Sequence, residues 1–183
     1  CLKKLKITSS TPITFGGGIT NLEVAKKVIR SGAEKIYLNR AILNNRDLIQ
    51  DIVKYFGGQA IVIGINLIKF KDSYKIYEDL NNKIDLISYI SEIQNLGIGE
   101  IKINFVDREG KKEGLDLEFS EKLLKHIRVS CIFEGGIGSL NQIEDAFNKK
   151  INAVALGTMI TFNDYNIFKI KRYLFNKNYN VRL

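Results

Sequence analysis

The chain has 183 residues, of which 45% are hydrophobic and 26% are charged, and its formal net charge is +8. These values predict one globular domain, residues 1–183, with a sizeable core. They exclude a membrane span, because the apolar run at 60–68 is far shorter than the ~20 residues that a spanning helix needs. Residues 1–10 carry charge but lack the apolar segment of a signal peptide.

Cysteine content and charge distribution exclude further classes. Two cysteines without a framework spacing are typical of a reducing compartment, so a cytoplasmic location is expected. With a single histidine beside them, they also argue against a metal site. Basic residues are scattered rather than grouped, and aromatic residues do not interleave with them, which argues against nucleic acid as a partner.

Short apolar runs alternate with amphipathic segments along the whole chain. Most runs are nearly continuous in β-branched residues, which is typical of strands buried on both faces of a parallel sheet. Alternating strands and helices predict an α/β fold. The predicted strands lie near residues 12–18, 35–39, 60–66, 100–107, 129–136 and 153–158.

Three of the amphipathic segments carry helix signals. Segment 21–32 places its apolar residues on one face at helical spacing. Segments 116–127 and 139–150 begin with Asp116 and Ser139, whose side chains suit an N-cap. Helices are therefore predicted in all three segments.

One strand–helix–strand unit occurs twice in the sequence. Residues 15–40 align with residues 133–158 without a gap. The alignment pairs Phe15 with Phe133, Gly17 and Gly18 with Gly135 and Gly136, Ile19 with Ile137, Leu22 with Leu140, and Leu38 with Leu156. Any two such units could share a Gly-Gly turn, but the register over the whole unit favours an internal repeat.

Both glycine pairs follow a predicted strand and precede a predicted helix. Glycine lets backbone N–H groups approach an anion, and a helix N-terminus adds the positive end of its dipole. In a closed parallel barrel both turns would open at the C-terminal face, where active sites lie. The sequence therefore predicts a ligand with a phosphate at each end.

Five stretches carry a family resemblance: "FGGGITNLEVAKKVIRSGAEKIYLNRAIL", "FGGQAIVIGIN", "GIGEIKINFVDREGKKEGLDLE", "FEGGIGSL" and "YNVRL". In this order, and over nearly the whole chain, they resemble the cyclase subunit of imidazole glycerol phosphate synthase. The resemblance implies a (β/α)8 TIM barrel in which the six predicted strands are the third to the eighth. It also implies an incomplete barrel, truncated at the N-terminus, with residues 1–10 as the tail of the second helix.

The resemblance implies a reaction and a partner. The family's barrel takes ammonia from a glutaminase subunit and acts on a ribulosyl-formimino aminoimidazole-carboxamide nucleotide with two phosphates. It closes an imidazole ring in histidine biosynthesis, releasing imidazole glycerol phosphate and an aminoimidazole-carboxamide ribotide. No cofactor and no metal are implied.

Two sets of phosphate contacts follow from the resemblance. Arg40 replaces a usual threonine, and an added cation suits an anion. Glu134 replaces a small residue in the second set, where a carboxylate does not suit a phosphate. The implied contacts are Gly18, Asn39 and Arg40 for one phosphate, and Gly110, Gly136, Gly157 and Thr158 for the other.

The catalytic positions implied by the resemblance are Glu109 and Asn66. Glu109 replaces a family aspartate in the polar loop 106–114, so its carboxylate lies one methylene further out. The family's other acid–base aspartate lies on its first strand, which the resemblance implies is absent here. Asn66 replaces a third aspartate, and an amide can orient a substrate but cannot take a proton. We expect Glu109 to point into the cavity; the alternative is that it lies in solvent, paired with Arg108, Lys111 or Lys112.

Lys35 and Glu100 begin two of the predicted strands. They match family positions in a ring of charges that gates the entry of ammonia into the barrel. A simple surface ion pair is the alternative.

Three hypotheses about function remain open. The first is a cyclase subunit of histidine biosynthesis, which the motif set favours. The second is a paralogue that delivers ammonia for the amidation of surface-polysaccharide sugars. The third is a non-catalytic barrel that activates a glutaminase partner; Asn66 and Glu109 favour the second and third.

Overall fold

Within the residues that the computed structural model describes, 11–40, 45–79, 81, 83–162 and 165–181, the central sheet has five parallel strands and one antiparallel strand. Neighbouring strands follow the order β1-β2-β3-β5-β6, and β4 pairs with β3. The strands are β1 Thr14–Gly16, β2 Lys35–Leu38, β3 Ile61–Phe70, β4 Ser73–Ile76, β5 Glu100–Phe105 and β6 Ser130–Glu134. The helical tail expected in residues 1–10 lies outside the described residues.

The sheet confirms the predicted α/β fold with sequential parallel strands. Side chains of β1 and β6, at opposite ends of the strand order, line one interior cavity of about 480 Å³. The sheet must curl for these edges to share a cavity, as a partial (β/α) barrel does.

Segment 153–158 is not the regular strand that the sequence predicts. In the described part of the chain it joins the sheet through one parallel bridge, between Phe133 and Val154. The chain turns into a helix at Thr158 directly afterwards, so the extended run is too short to continue the ladder.

The hairpin formed by β3 and β4 is also absent from the sequence prediction. Strand β3 continues past the predicted 60–66 as far as Phe70, which pairs with Ser73 across a two-residue turn. Lys71 takes φ of 55° in this turn. The Lys-Asp pair lacks the glycine or asparagine that marks most hairpin turns, so the pattern gave no signal.

A helix follows each parallel strand along the chain, and each of the three predicted segments forms one. The helices are α1 Leu22–Arg30, α2 Arg46–Phe56, α3 Leu86–Asn95, α4 Leu117–Leu124, α5 Leu140–Asn148, α6 Thr158–Thr161 and α7 Ile167–Asn176. Asp116 and Ser139 are N-caps, as predicted: their side chains accept hydrogen bonds from Phe119 N and Gln142 N. Across the described ranges, none of these helices has the length and hydropathy needed to cross a membrane.

Alternate residues of each strand point to opposite faces of the sheet, and this decides which side chains reach the barrel interior. Ile61, Ile63 and Ile65 of β3 are buried in the hydrophobic core. Because successive strand residues point to opposite faces, the residues between them face the other way. The same alternation in β3, β5 and β6 gives the interior its polar side chains: Asn66, Glu100, Lys102, Asn104 and Glu134.

The two copies of the internal repeat fold alike. Phe15 pairs with Ile36 between β1 and β2, and the bridge of Phe133 with Val154 has the same register in the second copy. Helices α1 and α5 occupy equivalent positions in the alignment. The sequence repeat is therefore a structural repeat.

Asp116, the N-cap residue of α4, contributes to the pH dependence of the free energy of unfolding. Burial alone would raise the pKa of this carboxyl, but bonds from Phe119 N and the Tyr74 hydroxyl, with the charge of Arg108, lower it. A lowered pKa means that the folded state favours the ionised form. Stability from Asp116 is therefore present above the unfolded pKa of about 4 and is lost as pH falls through the lower folded value.

We expect Asp116→Ala to lower the free energy of unfolding at neutral pH by ~1 kcal/mol, the usual cost of a lost N-cap. Asp116→Asn keeps the capping oxygen, so it should retain most of the stability at neutral pH while flattening the acid dependence. Denaturant unfolding at several pH values measures both effects. Equal acid dependence in Asp116→Asn and the parent protein would contradict this role.

Candidate active site

The predicted phosphate contacts lie at the C-terminal edge of the sheet. The first glycine pair, Gly17 and Gly18, follows β1, and the second pair, Gly135 and Gly136, follows β6. All four glycines have positive φ, between 69° and 116°. Each pair lines its own cavity at this edge.

The first cavity has a volume of about 340 Å³. All three residues predicted for one phosphate, Gly18, Asn39 and Arg40, line it. Asn39 Nδ2 donates to the Tyr37 hydroxyl over 3.4 Å. The complete lining is Gly17, Gly18, Ile19, Tyr37, Leu38, Asn39, Arg40, Asn66 and Glu78.

The second cavity has a volume of about 270 Å³. All four residues predicted for the other phosphate line it, together with the expected catalytic Glu109. Lys112, expected from the sequence only as a solvent partner for Glu109, adds a positive charge to this lining. The complete lining is Glu109, Gly110, Lys112, Glu134, Gly135, Gly136, Ile137, Ala155, Gly157 and Thr158.

The loop 106–114 is held against the second glycine turn. Gly114 N donates to Gly136 O over 2.8 Å. Gln142, on α5, accepts from Gly138 N over 2.8 Å and donates to Lys112 O over 3.0 Å. Arg108 donates to Gly114 O over 3.0 Å. The Arg108 bond closes the loop on itself, and the other bonds connect the loop to the β6–α5 turn and to α5.

A chain of side-chain hydrogen bonds joins the two cavities. Asn66 Nδ2 donates to Glu78 Oε1 over 2.6 Å. Asn104 Nδ2 donates to Asn66 Oδ1 over 3.3 Å and to Glu109 Oε1 over 2.5 Å. Asn66 and Asn104 are register partners of β3 and β5, so the sheet itself sets their spacing.

This network places Glu109 in the lining of the second cavity, where the residue remains exposed to solvent. Its carboxylate accepts from Asn104, while the neighbouring Arg108 donates to Gly114 O. Glu78, at the far end of the network, was not identified from the sequence. It lies directly after the hairpin that the sequence pattern missed.

Lys102 and Glu134 form an ion pair in the barrel interior. The Lys102 ammonium also lies 5.2 Å from the ring centroid of Tyr37. Burial raises the pKa of Tyr37, and Lys102 partly opposes this rise. Because Glu134 has this cationic partner, the conflict expected between its charge and a bound phosphate is reduced.

Lys35 and Glu100 meet at the opposite end of the strands. Lys35 Nζ lies 2.6 Å from Glu100 Oε2, with the glutamate side chain 14% exposed and the lysine 38%. Burial, with the nearby charge of Glu100, raises the pKa of Cys131 to about 12. The structure thus brings the two predicted gate residues together at the N-terminal end of the sheet.

The site consists of carboxylates, amides, the cationic side chains of Arg40 and Lys112, and backbone N–H groups. In the described ranges, no group of three or more His, Cys, Asp and Glu side chains is arranged to hold a metal ion. The groups present can bind anions, orient a ligand and transfer protons.

Fold and site together define a partial (β/α) barrel with two glycine turns, each lining a cavity, at its C-terminal face. The family described as histidine biosynthesis protein matches residues 1–166. The chain is 34% identical over 176 residues to "Imidazole glycerol phosphate synthase subunit HisF" of Chlorobium phaeovibrioides, covering 94% of this chain and 70% of that protein. The proteins of the same name from Exiguobacterium sibiricum (93% and 70% covered) and Dictyoglomus thermophilum (94% and 70% covered) are each 35% identical. The chain belongs to the histidine biosynthesis protein family.

Proposed function

We propose that the chain acts as a cyclase subunit of imidazole glycerol phosphate synthase. The observation that carries this proposal is the pair of glycine-turn cavities joined by the Glu78–Asn66–Asn104–Glu109 network. Such a site suits a ligand with a phosphate at each end and its reacting atoms between them. The relatives that share most of the chain's length carry this name.

Each part of the site has a role in this proposal. Backbone N–H groups of the two glycine turns bind the phosphates, with Asn39 and Arg40 on one side and Lys112 and Thr158 on the other. Their binding energy fixes the reacting centre over the network. Glu109 supplies the proton acceptor and donor that ring closure needs. Asn66 and Asn104 orient the substrate.

Ammonia is proposed to enter from the opposite end of the barrel, supplied by a glutaminase partner. The Lys35–Glu100 pair lies at that end, and the interior above it contains Tyr37 and Lys102. A charged pair that must separate for ammonia to pass would couple entry to the docking of the partner.

The protein should form imidazole glycerol phosphate from the two-phosphate nucleotide and an ammonium salt, without a metal or cofactor. Chromatography of the products measures this directly. Absence of product, with continued stimulation of a glutaminase subunit from the same organism, would replace the proposal by ammonia delivery or scaffolding.

The gate proposal predicts a difference between two nitrogen sources. Lys35→Ala and Glu100→Ala should lower glutamine-driven turnover several-fold more than ammonium-driven turnover, since dissolved ammonia can bypass the gate. Lys122→Ala is the matched control, because Lys122 pairs with Glu118 at the protein surface. Equal losses with both nitrogen sources would assign the pair a structural role.

A further inference from the structure

Glu78 is held in place by the hairpin that precedes it. Strand β4 is anchored in the core through Tyr74 and Ile76, which are 6% and 3% exposed. The Tyr74 ring packs against Phe105 with centroids 5.0 Å apart. Beyond β4, Tyr77 N donates to the backbone oxygen of Asn66 over 2.8 Å. The backbone of Asn66 therefore positions the residue before Glu78.

The Glu78 side chain is directed at the same residue. Its Oε1 accepts from Asn66 Nδ2 over 2.6 Å, and Glu78 lines the first cavity beside Gly18 and Asn39. The Glu78 carboxylate is therefore hydrogen-bonded directly to Asn66, whose own amide cannot take a proton. Together with Glu109, it gives the site a carboxylate at each end of the network.

Asn104 gives an independent sign that this network serves a ligand. The residue is 7% exposed, and its Nδ2 is shared between Asn66 and Glu109. Its Oδ1 is enclosed and has no hydrogen-bond donor among the described residues. A buried acceptor without a partner is costly in a folded protein. The N–H groups of a bound nucleotide or of ammonia would supply the donor.

We propose that Glu78 is a second catalytic carboxylate, carrying the proton transfer that Asn66 cannot. This assignment rests on the proposed cyclase function. Ring closure forms two bonds to the ammonia nitrogen and breaks the carbonyl C–O bond and the formimino C–N bond. Hydrogens leave the ammonia nitrogen and neighbouring ring atoms, and they end on water and on the amine of the departing ribotide. Glu78 takes a proton as a bond to nitrogen forms and returns it to a departing group.

The test exchanges the carboxylate and the amide between the two positions. Glu78→Gln should lower kcat of the ammonium-driven reaction by about 10²-fold, the scale of one positioned acid–base group, with KM within about threefold of the parent value. The double variant Glu78→Gln/Asn66→Asp preserves a hydrogen bond between the two side chains while moving the carboxylate to residue 66. It should recover at least about tenfold of the lost kcat.

Glu121→Gln is the matched control, since it removes the same charge from the exposed outer surface of α4, where Glu121 pairs with Lys149. Its kcat should equal that of the parent protein. Inorganic phosphate titrated by calorimetry should bind Glu78→Gln at least as tightly as it binds the parent, because a negative charge has left the first cavity.

The outcomes separate this proposal from the proposed function. A Glu78→Gln protein as active as the parent overturns the catalytic role alone. A double variant as slow as Glu78→Gln also overturns it, because a structural role gives no rescue by Asn66→Asp. Failure of the parent protein to form any imidazole glycerol phosphate overturns the cyclase function and the role of Glu78 with it.

Discussion

Replacing Glu109 by Gln is expected to lower ammonium-driven ring closure by about 10²- to 10⁴-fold, the contribution of a positioned acid–base group. Gln offers the same Oε1 acceptor to Asn104 Nδ2, a bond of 2.5 Å in the parent protein. It has no carboxylate, so it cannot exchange a proton with the substrate. Steady-state assays should show the loss in kcat, with KM and the free energy of unfolding nearly unchanged.

Two variants make this expectation specific. Glu113→Gln removes an exposed carboxylate from the adjoining part of the chain and should keep the parent kcat. Glu109→Asp keeps a carboxylate and restores the residue type that the resemblance implies here, so it should retain a kcat well above that of Glu109→Gln. A Glu109→Gln protein with the parent kcat would refute proton transfer by this residue and leave it the role of positioning Asn104.

The features that the sequence predicted depend on local signals. Alternation of apolar runs with amphipathic segments predicts the strand order, because parallel strands and helices need different spacings of apolar residues. The glycine pairs at the ends of β1 and β6 reveal the repeat, since the same turn occurs in the same register. Caps such as Asp116 and Ser139 also act within one turn of a helix. Local patterns like these can be read from one sequence.

The features that the sequence missed depend on contacts between distant residues. Glu78 reaches Asn66 because β3 extends past its predicted end and folds back through a turn without glycine. Lys102 and Glu134 pair because β5 and β6 are neighbours, with Lys102 opposite Ile132 in the register. Only the strand register shows which of the scattered charges meet. For this reason the sequence alone indicated a missing carboxylate at Asn66 and an unfavourable negative charge at Glu134. The structure places the Glu78 carboxylate beside Asn66 and the Lys102 ammonium beside Glu134.

The internal repeat provides a comparison in which one substitution is made at two equivalent positions. Gly17 and Gly135 are aligned in the repeat and have φ of 99° and 116°, a region that side chains other than glycine rarely adopt. A Cβ at Gly17 would meet nothing within 4 Å. At Gly135 it would lie 2.6 Å from Phe105 O and 3.0 Å from Phe105 N. The second copy of the turn therefore packs directly on the backbone of β5.

We expect Gly17→Ala to lower the free energy of unfolding by about 1–3 kcal/mol, the cost of a strained backbone conformation. Gly135→Ala should lower it by about 1–3 kcal/mol more, because a methyl group forced against backbone also overpacks the core. Denaturant unfolding of both variants beside the parent protein measures the difference. The clash at Gly135 is relieved by moving the turn away from β5. This movement also displaces Gly136 and the N–H groups proposed to bind the anion. The affinity of the second cavity for inorganic phosphate should therefore fall together with the stability. The expectation is contradicted if both variants lose the same stability and Gly135→Ala still binds phosphate. In that case the turn can move without a loss of stability, and its contact with Phe105 does not maintain the shape of the second cavity.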